Sequence, residues 1–192
     1  SLLRKVQGSK IGVVFQEPMS AMDPLMKFGK QVEEVLEIHT GLSAEEKKKR
    51  AIEALTDVEL PDPEAVYDKY PHELSGGMLQ RSMIAAAIVS RPSLLLLDEP
   101  TTALDVTIQA QILKLLEKLN KEYGMSMLFI SHNLNVVRKL CGRVAVMQKG
   151  VIVEEGLTDD VFFRPQHAYT QHLIACIPAR VKVIAKKNAE SR

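Results

Sequence analysis

Apolar residues gather in short runs separated by longer amphipathic stretches, and this alternation predicts strands interleaved with helices. Ile11-Gly12-Val13-Val14-Phe15 stops at Gln16-Glu17-Pro18, the pattern of a buried strand ended by a Pro-bounded loop. Leu94-Leu95-Leu96-Leu97 has no polar alternation, as expected of a central parallel strand covered on both faces. Met125 to Ile130, Arg143 to Met147 and Val151 to Glu155 predict three more strands, the last pair joined by a Lys149-Gly150 turn. A helix is expected from Val106 to Glu122 with Ile108, Ile112, Leu115, Leu116 and Leu119 inward, and a shorter one from Leu134 to Leu140. Strands alternating with helices imply an α/β fold built on a layered sheet.

Residues 19–90 interrupt that alternation. Ser43-Ala44-Glu45-Glu46 is a capping box, with Ser43 as N-cap and Glu46 reaching back, so a helix starts there. Leu60-Pro61-Asp62-Pro63 ends it. A second helix is expected from about Ser75, with Leu79, Met83 and Ala86 on one face. The stretch reads as a helical insertion between strands. At the far end, Val181 to Arg192 mixes Lys with small polar residues and reads as a frayed tail.

Composition narrows the function classes. The chain has 192 residues, which suits one domain or one domain with a small insertion. With 46% hydrophobic and 26% charged residues it is an ordinary globular sequence. Lys plus Arg number 25 and Asp plus Glu 24, a net charge of +1; without clustered positive charge, nucleic acid is not an expected partner. Cys141 and Cys176 lack CxxC spacing, so neither a disulfide framework nor a structural zinc site is expected. The longest apolar run, Met83 to Val89, has seven residues, against the ~18 needed to span a bilayer.

Four short motifs carry candidate chemistry. In Leu97-Asp98-Glu99-Pro100, two adjacent acids stand at the carboxyl end of a strand, where open parallel sheets bind ligands. Asp98 suits Mg²⁺, and Glu99 suits polarising an attacking water. In Leu74-Ser75-Gly76-Gly77-Met78, with Gln80-Arg81 following, Ser75 is a good N-cap and two glycines permit close approach of a ligand. The helix start then offers N–H groups and a positive dipole end to phosphate. His132 follows Phe129-Ile130-Ser131, where an imidazole could meet a phosphate oxygen or a water. Gln16, also at a strand end, could contact Mg²⁺ or the water without adding charge. Each motif alone has an ordinary structural reading as a strand cap, a glycine turn or a structural histidine.

Their order and spacing together resemble the ATP-binding cassette (ABC) ATPases across nearly the whole chain. Phe15-Gln16-Glu17-Pro18 resembles the Q-loop, Leu74 to Arg81 the signature motif, and Leu94 to Glu99 the Walker B strand. Ala103-Leu104-Asp105 resembles the D-loop and Ser131-His132 the switch histidine. Met78, Phe15 to Pro24 and Pro165-Gln166-His167-Ala168-Tyr169-Thr170 are similar to the peptide and nickel importer branch, with Ala168 where that branch has Pro. Asn133 departs from the Asp common after the switch histidine.

The resemblance implies part of a P-loop NTPase (RecA-like) parallel sheet with an inserted α-helical subdomain. Residues 1–18 would supply a core strand and the Q-loop, and 19–90 the helical subdomain. Residues 91–157 would return to the core, and 158–192 would be a peptide-importer extension. It implies ATP and Mg²⁺ as cofactors, with Asp98 and Gln16 attending to the metal. Glu99 would be the general base and His132 the γ-phosphate sensor. Ser75, Gly76 and Gly77, with Gln80 beside them, would face the nucleotide of a second ABC ATPase subunit, and Asp105 would communicate across that dimer. The other implied partner is an integral membrane permease, which places the protein on the cytoplasmic face of the membrane. No GxxxxGK[ST] occurs in these residues, so the chain is expected to be a fragment or a truncated copy, inactive alone and exposing apolar sheet surface. Two other readings remain open: a soluble ABC ATPase outside transport, and a non-catalytic partner lending only its signature motif.

Overall fold

The computed structural model describes residues 6–102 and 104–177. Ala103 and the expected tail at Val181 to Arg192 lie outside the described residues. The chain divides into two compact units, Ser1–Ile130 and Ser131–Arg192.

The first unit is built on three parallel strands, β1 (Ile11–Val14), β2 (Leu94–Asp98) and β3 (Ser126–Ile130), in the order β1-β2-β3. Val14 pairs with Leu97 and Leu97 with Phe129, so the carboxyl ends of all three strands lie along one edge. Leu95 and Leu97 are fully buried, while Leu94 and Leu96 on the opposite face of β2 are half-buried. The expected cover on both faces is thus complete on one face and partial on the other. Along β3, Leu128 and Ile130 are exposed.

The crossover from β1 to β2 is the helical segment: α1 (Pro18–Ala21), α2 (Phe28–His39), α3 (Ala44–Asp57), α4 (Pro63–Tyr67), a 3₁₀ turn at Pro71–Glu73 and α5 (Gly76–Ile88). The capping box of α3 is formed in both halves: the Ser43 hydroxyl accepts from the Glu46 N–H, and Glu46 accepts from the Ser43 N–H. Pro61 and Pro63 break the chain as expected. The break also starts α4, because Pro63 occupies its first turn and Asp62 caps it by accepting from the Ala65 N–H at 3.1 Å.

Helix α2 was not among the expected elements. Its inward face is Phe28, Val32 and Leu36, all fully buried, but Glu33 shares that burial. Glu33 is accommodated by two partners, the Tyr67 hydroxyl, which donates to it, and the Lys30 ammonium at 2.8 Å. Burial, with the Glu33 carboxylate next, raises the pKa of the Tyr67 phenol.

Helix α5 differs from its expected single apolar face. Leu79 and Met83 are buried, but so are Gln80, Ser82, Ile84, Ala85, Ala87 and Ile88, while Ala86 is only half-buried. The helix is enclosed nearly all round because it packs against β1 while α3 lies against it as well. Its small residues let the backbones close in. A Cβ at Gly12 of β1 would stand 2.2 Å from the Ala87 carbonyl oxygen. The return from β2 to β3 is α6 (Val106–Tyr123), with Ile112, Leu115, Leu116 and Leu119 buried and Ile108 partly so.

The second unit contains α7 (Leu134–Leu140), an antiparallel hairpin of β4 (Arg143–Gln148) and β5 (Val151–Leu157), then α8 (Thr158–Phe163) and α9 (Ala168–Ala175). The hairpin forms a two-stranded sheet of its own instead of extending the parallel one. Lys149 and Gly150, both at positive φ (49° and 81°), make the two-residue turn that forces antiparallel pairing.

The contact at Gly12 yields a first test. Gly12→Ala places a methyl group against a backbone carbonyl that cannot rotate away, so it should destabilise the fold by about 1–3 kcal/mol. Urea denaturation followed by circular dichroism would measure this, and wild-type stability would contradict the close packing.

Candidate functional site

The described chemistry gathers where β1 and β2 end. Gln16 follows β1 and is exposed; β2 ends in exposed Asp98 and runs into Glu99. Glu99 has φ 46°, a left-handed conformation that costs a non-glycine residue about 1–2 kcal/mol. Two backbone bonds hold it there: the Glu99 N–H donates to the Ile130 carbonyl at 3.0 Å, and the Thr102 N–H donates to the Glu99 carbonyl at 3.3 Å. Glu99, Pro100, Thr101 and Thr102 therefore form a tight turn anchored on β3. The Gln16 amide Nε2 donates to Glu99 Oε2 at 3.2 Å, and the Thr102 hydroxyl donates to the same oxygen at 2.8 Å.

The donors present fit a hard cation. The Gln16 nitrogen donates to Glu99, so the amide oxygen is the atom it would offer to Mg²⁺, with Asp98 at the end of the neighbouring strand. No group of three His, Cys, Asp or Glu side chains forms a metal site among the described residues.

A second feature is the start of α5. The Ser75 hydroxyl caps it by accepting from the Met78 N–H at 3.3 Å. The two glycines there differ. A Cβ on Gly76, which is exposed, would meet nothing within 4 Å, whereas one on Gly77 would stand 3.1 Å from Ile108 Cγ2 of α6. Gly76 leaves room for an approaching ligand, and Gly77 lets α6 pack close. Arg81 braces the same helix, donating to the Val58 carbonyl at 2.8 Å and approaching the Glu59 carboxylate at 3.5 Å. Lys118, bonded to that carboxylate, holds the Glu59 pKa below its ordinary value, and Arg81 adds to the effect. Gln80 does not join Ser75, Gly76 and Gly77. Its side chain points into the interior, 2% exposed, with Nε2 unpartnered, because the whole helix is enclosed at that level.

Asp105 serves as N-cap of α6, its Oδ1 accepting from the Thr107 and Ile108 N–H groups, each at 3.0 Å. Gln109, one turn on, donates from Nε2 to the Thr101 hydroxyl at 3.0 Å. His132 belongs to the second unit, exposed in the turn before α7. Asn133 beside it caps α7 by accepting from the Asn135 N–H at 3.2 Å, a task that the neutral amide performs as an Asp would.

Several supporting residues carried no signal in the sequence. Thr102 and Gln109 are ordinary polar residues whose partners become visible only in three dimensions. Glu154 of β5 is another. It accepts from the Gln166 N–H at 2.8 Å and the His167 N–H at 3.0 Å, and these, the Gln166 bond foremost, lower its pKa. It thereby fixes the loop before α9, where His167 Nδ1 caps the helix through the Tyr169 N–H.

The sequence pattern of the ABC transporter family matches residues 3–102, and the chain belongs to that family. It is 53% identical over 176 residues to the peptidoglycan transport ATP-binding protein YejF of Agrobacterium fabrum, covering 92% of this chain and 32% of that protein. It is 51% identical to the oligopeptide transport ATP-binding protein OppD of Bacillus subtilis, covering 92% of this chain and 49% of that one. The chain thus spans a third to a half of the length of these relatives. Among solved structures, the dimeric post-hydrolysis state of an ATP-binding cassette bound to ADP and Pi superposes with a TM-score of 0.71 at 35% identity, covering 82% of this chain and 66% of the other. The α/β fold with its parallel sheet is that of the ABC ATPase cassettes.

Asp105 offers a test that separates capping from charge. Asp105→Ala should cost about 1 kcal/mol, while Asp105→Asn, which keeps the accepting oxygen, should stay within a few tenths of wild type. Chemical denaturation of the two variants reads the difference, and equal losses would mean that the cap is not what Asp105 contributes.

Proposed function

We propose that this chain belongs to the ATP-hydrolysing subunit of an importer of the oligopeptide and dipeptide or nickel class, coupling hydrolysis to transport through a membrane permease. The observation that carries the reading is the convergence of Gln16 and Thr102 on one oxygen of Glu99 at the sheet edge. A carboxylate so held is placed to take a proton from water as the γ-phosphoryl bond of ATP breaks. Asp98 and the Gln16 oxygen would hold Mg²⁺, which supplies charge neutralisation at the phosphates. Ser75, Gly76 and Gly77 would present the start of α5 to the nucleotide of a second ABC ATPase subunit, and the dimeric state of a solved relative supports that arrangement. By motif order His132 would sense the γ-phosphate and Asp105 would face the partner subunit. Gln80, being enclosed, has no part in nucleotide contact.

The transport role rests on the relatives, whose names assign them to peptidoglycan and oligopeptide transport. Residues 19–90, the helical subdomain, would dock on the permease, with Gln16 joining that movement to the nucleotide. Among the described residues no helix is long and apolar enough to cross a membrane, and the proposed location is the cytoplasmic face beside the permease.

In a P-loop-complete ATPase carrying this segment, Glu99→Gln should retain ATP binding and lose turnover by about 10²-fold or more, so that the nucleotide-bound dimer accumulates. Wild-type turnover with permease present would remove Glu99 from its role. The polypeptide Ser1–Arg192 alone should behave differently. Most phosphate affinity in this architecture comes from P-loop N–H groups and a Lys, and no GxxxxGK[ST] lies within these residues. It should show no measurable hydrolysis and bind ATP more weakly than roughly 1 mM, about −4 kcal/mol. Calorimetry on the folded polypeptide measures this, and micromolar binding would place the phosphate site elsewhere.

A further inference from the structure

The turn after β2 contains more than the carboxylate at its head. Glu99 starts from a left-handed backbone position, so its side chain leaves the chain in a direction that a normal strand end would not give. Three residues later the chain has folded back, and the Thr102 hydroxyl stands 2.8 Å from Glu99 Oε2. That bond is shorter than the 3.2 Å bond from Gln16 to the same oxygen. The Thr102 N–H also donates to the Glu99 carbonyl, at 3.3 Å, so one residue grips both ends of Glu99. The turn itself is held from below. Thr101 is 5% exposed, and its hydroxyl accepts from Gln109 Nε2 at 3.0 Å, tying the turn to α6 one helical turn beyond the Asp105 cap.

We infer that Thr102 is a positioning residue for the reaction: its hydroxyl fixes the orientation of the Glu99 carboxylate, with the Thr101–Gln109 bond holding the turn in register. The inference rests on the general-base role of Glu99 proposed above. Of these donors to Oε2, the Gln16 side chain comes from a separate strand end and follows any displacement of β1 relative to β2. Thr102 lies on the same turn as Glu99, so its grip survives such movement. A carboxylate held by two donors on one oxygen also loses rotational freedom before substrate arrives. Misplacement of a reacting group by about 1 Å can cost roughly 10²-fold in rate.

The test uses the P-loop-complete ATPase with its permease, and reads kcat, KM for ATP and ATP-driven dimerisation. Thr102→Val keeps the branched shape and removes the hydroxyl. It should lower kcat about tenfold to a hundredfold while leaving KM and dimerisation unchanged. Thr102→Ser, which restores the hydroxyl without the methyl, should recover most of the rate. Gln109→Leu should give a smaller fall of the same kind. Thermal melting checks that each variant folds, and because Thr102 is exposed the Ser and Val variants should melt together. Wild-type kcat in Thr102→Val, or equal losses in Val and Ser, would overturn the inference. Glu99→Gln run beside them keeps the two claims apart: if it retains turnover, the general-base role fails, whereas if it is inactive and Thr102→Val is not, only the positioning role fails.

Discussion

The close seat of α5 on β1 is the constraint on which the rest of the first unit depends. Gly12 and the Ala87 carbonyl approach so nearly that no side chain fits between them, and the remainder of α5 is enclosed almost all round. One rigid helix therefore has its C-terminal half fastened to the sheet and its capped start, at Ser75 and Gly76, open to solvent. The direction of the helix axis is set by packing at one end, and its polar end inherits that direction. The Arg81 bonds at Val58 and Glu59 then restrain the helix against α3. The proposed phosphate contact at this helix start would require fixed N–H groups, and this anchoring would supply them.

At the sheet edge the order comes from hydrogen bonds instead of apolar packing. The parallel register brings the ends of β1 and β2 side by side, but adjacency alone does not orient a carboxylate. The Glu99 turn is strained at φ 46° and held by one bond to β3 and a second within the turn. Strain of this kind persists only where surrounding contacts outweigh it, and it concentrates where geometry matters for chemistry. The two features thus have supports of different stiffness: the α5 start is fixed by core packing, and the Glu99 turn is fixed by a few polar contacts.

The legibility of the sequence follows the same division. Strands β1, β2 and β3 and helix α6 were readable because continuous apolar runs or a clear helical period encode them. The Ser43 capping box was readable because both partners sit three residues apart. Helix α2 was not, since buried Glu33 breaks its apolar face and only the Tyr67 hydroxyl and Lys30, one of them 34 residues away, make that burial tolerable. The hairpin of β4 and β5 was readable as two strands joined by a two-residue turn, and that turn sets their antiparallel pairing. At the site, Gln16, Asp98, Glu99 and Ser75 were visible as residue types at strand and helix ends. Thr102 and Gln109 were not, because their value lies in what they touch.

A motif read as a single functional unit also divides when its atoms are placed. In Ser75-Gly76-Gly77-Met78-Leu79-Gln80-Arg81, Ser75 caps and Gly76 leaves open space, both directed outward. Gly77 is small because Ile108 occupies the neighbouring volume, Gln80 is buried, and Arg81 ties the helix to α3. Only the first turn of the helix is open to a ligand; the rest of the motif secures the helix that carries it. Gly77 also brings α6 against that first turn through Ile108, whose own N–H is bonded to the Asp105 cap. The start of α5 and the start of α6 are therefore packed on one another within a single chain. A displacement of either start is resisted by the other, since separating them would open a gap at Gly77 and closing them further would overlap Ile108. Gly77 thus lets Ile108 come within contact of the first turn of α5, where a methyl group would force it back by a few tenths of an ångström.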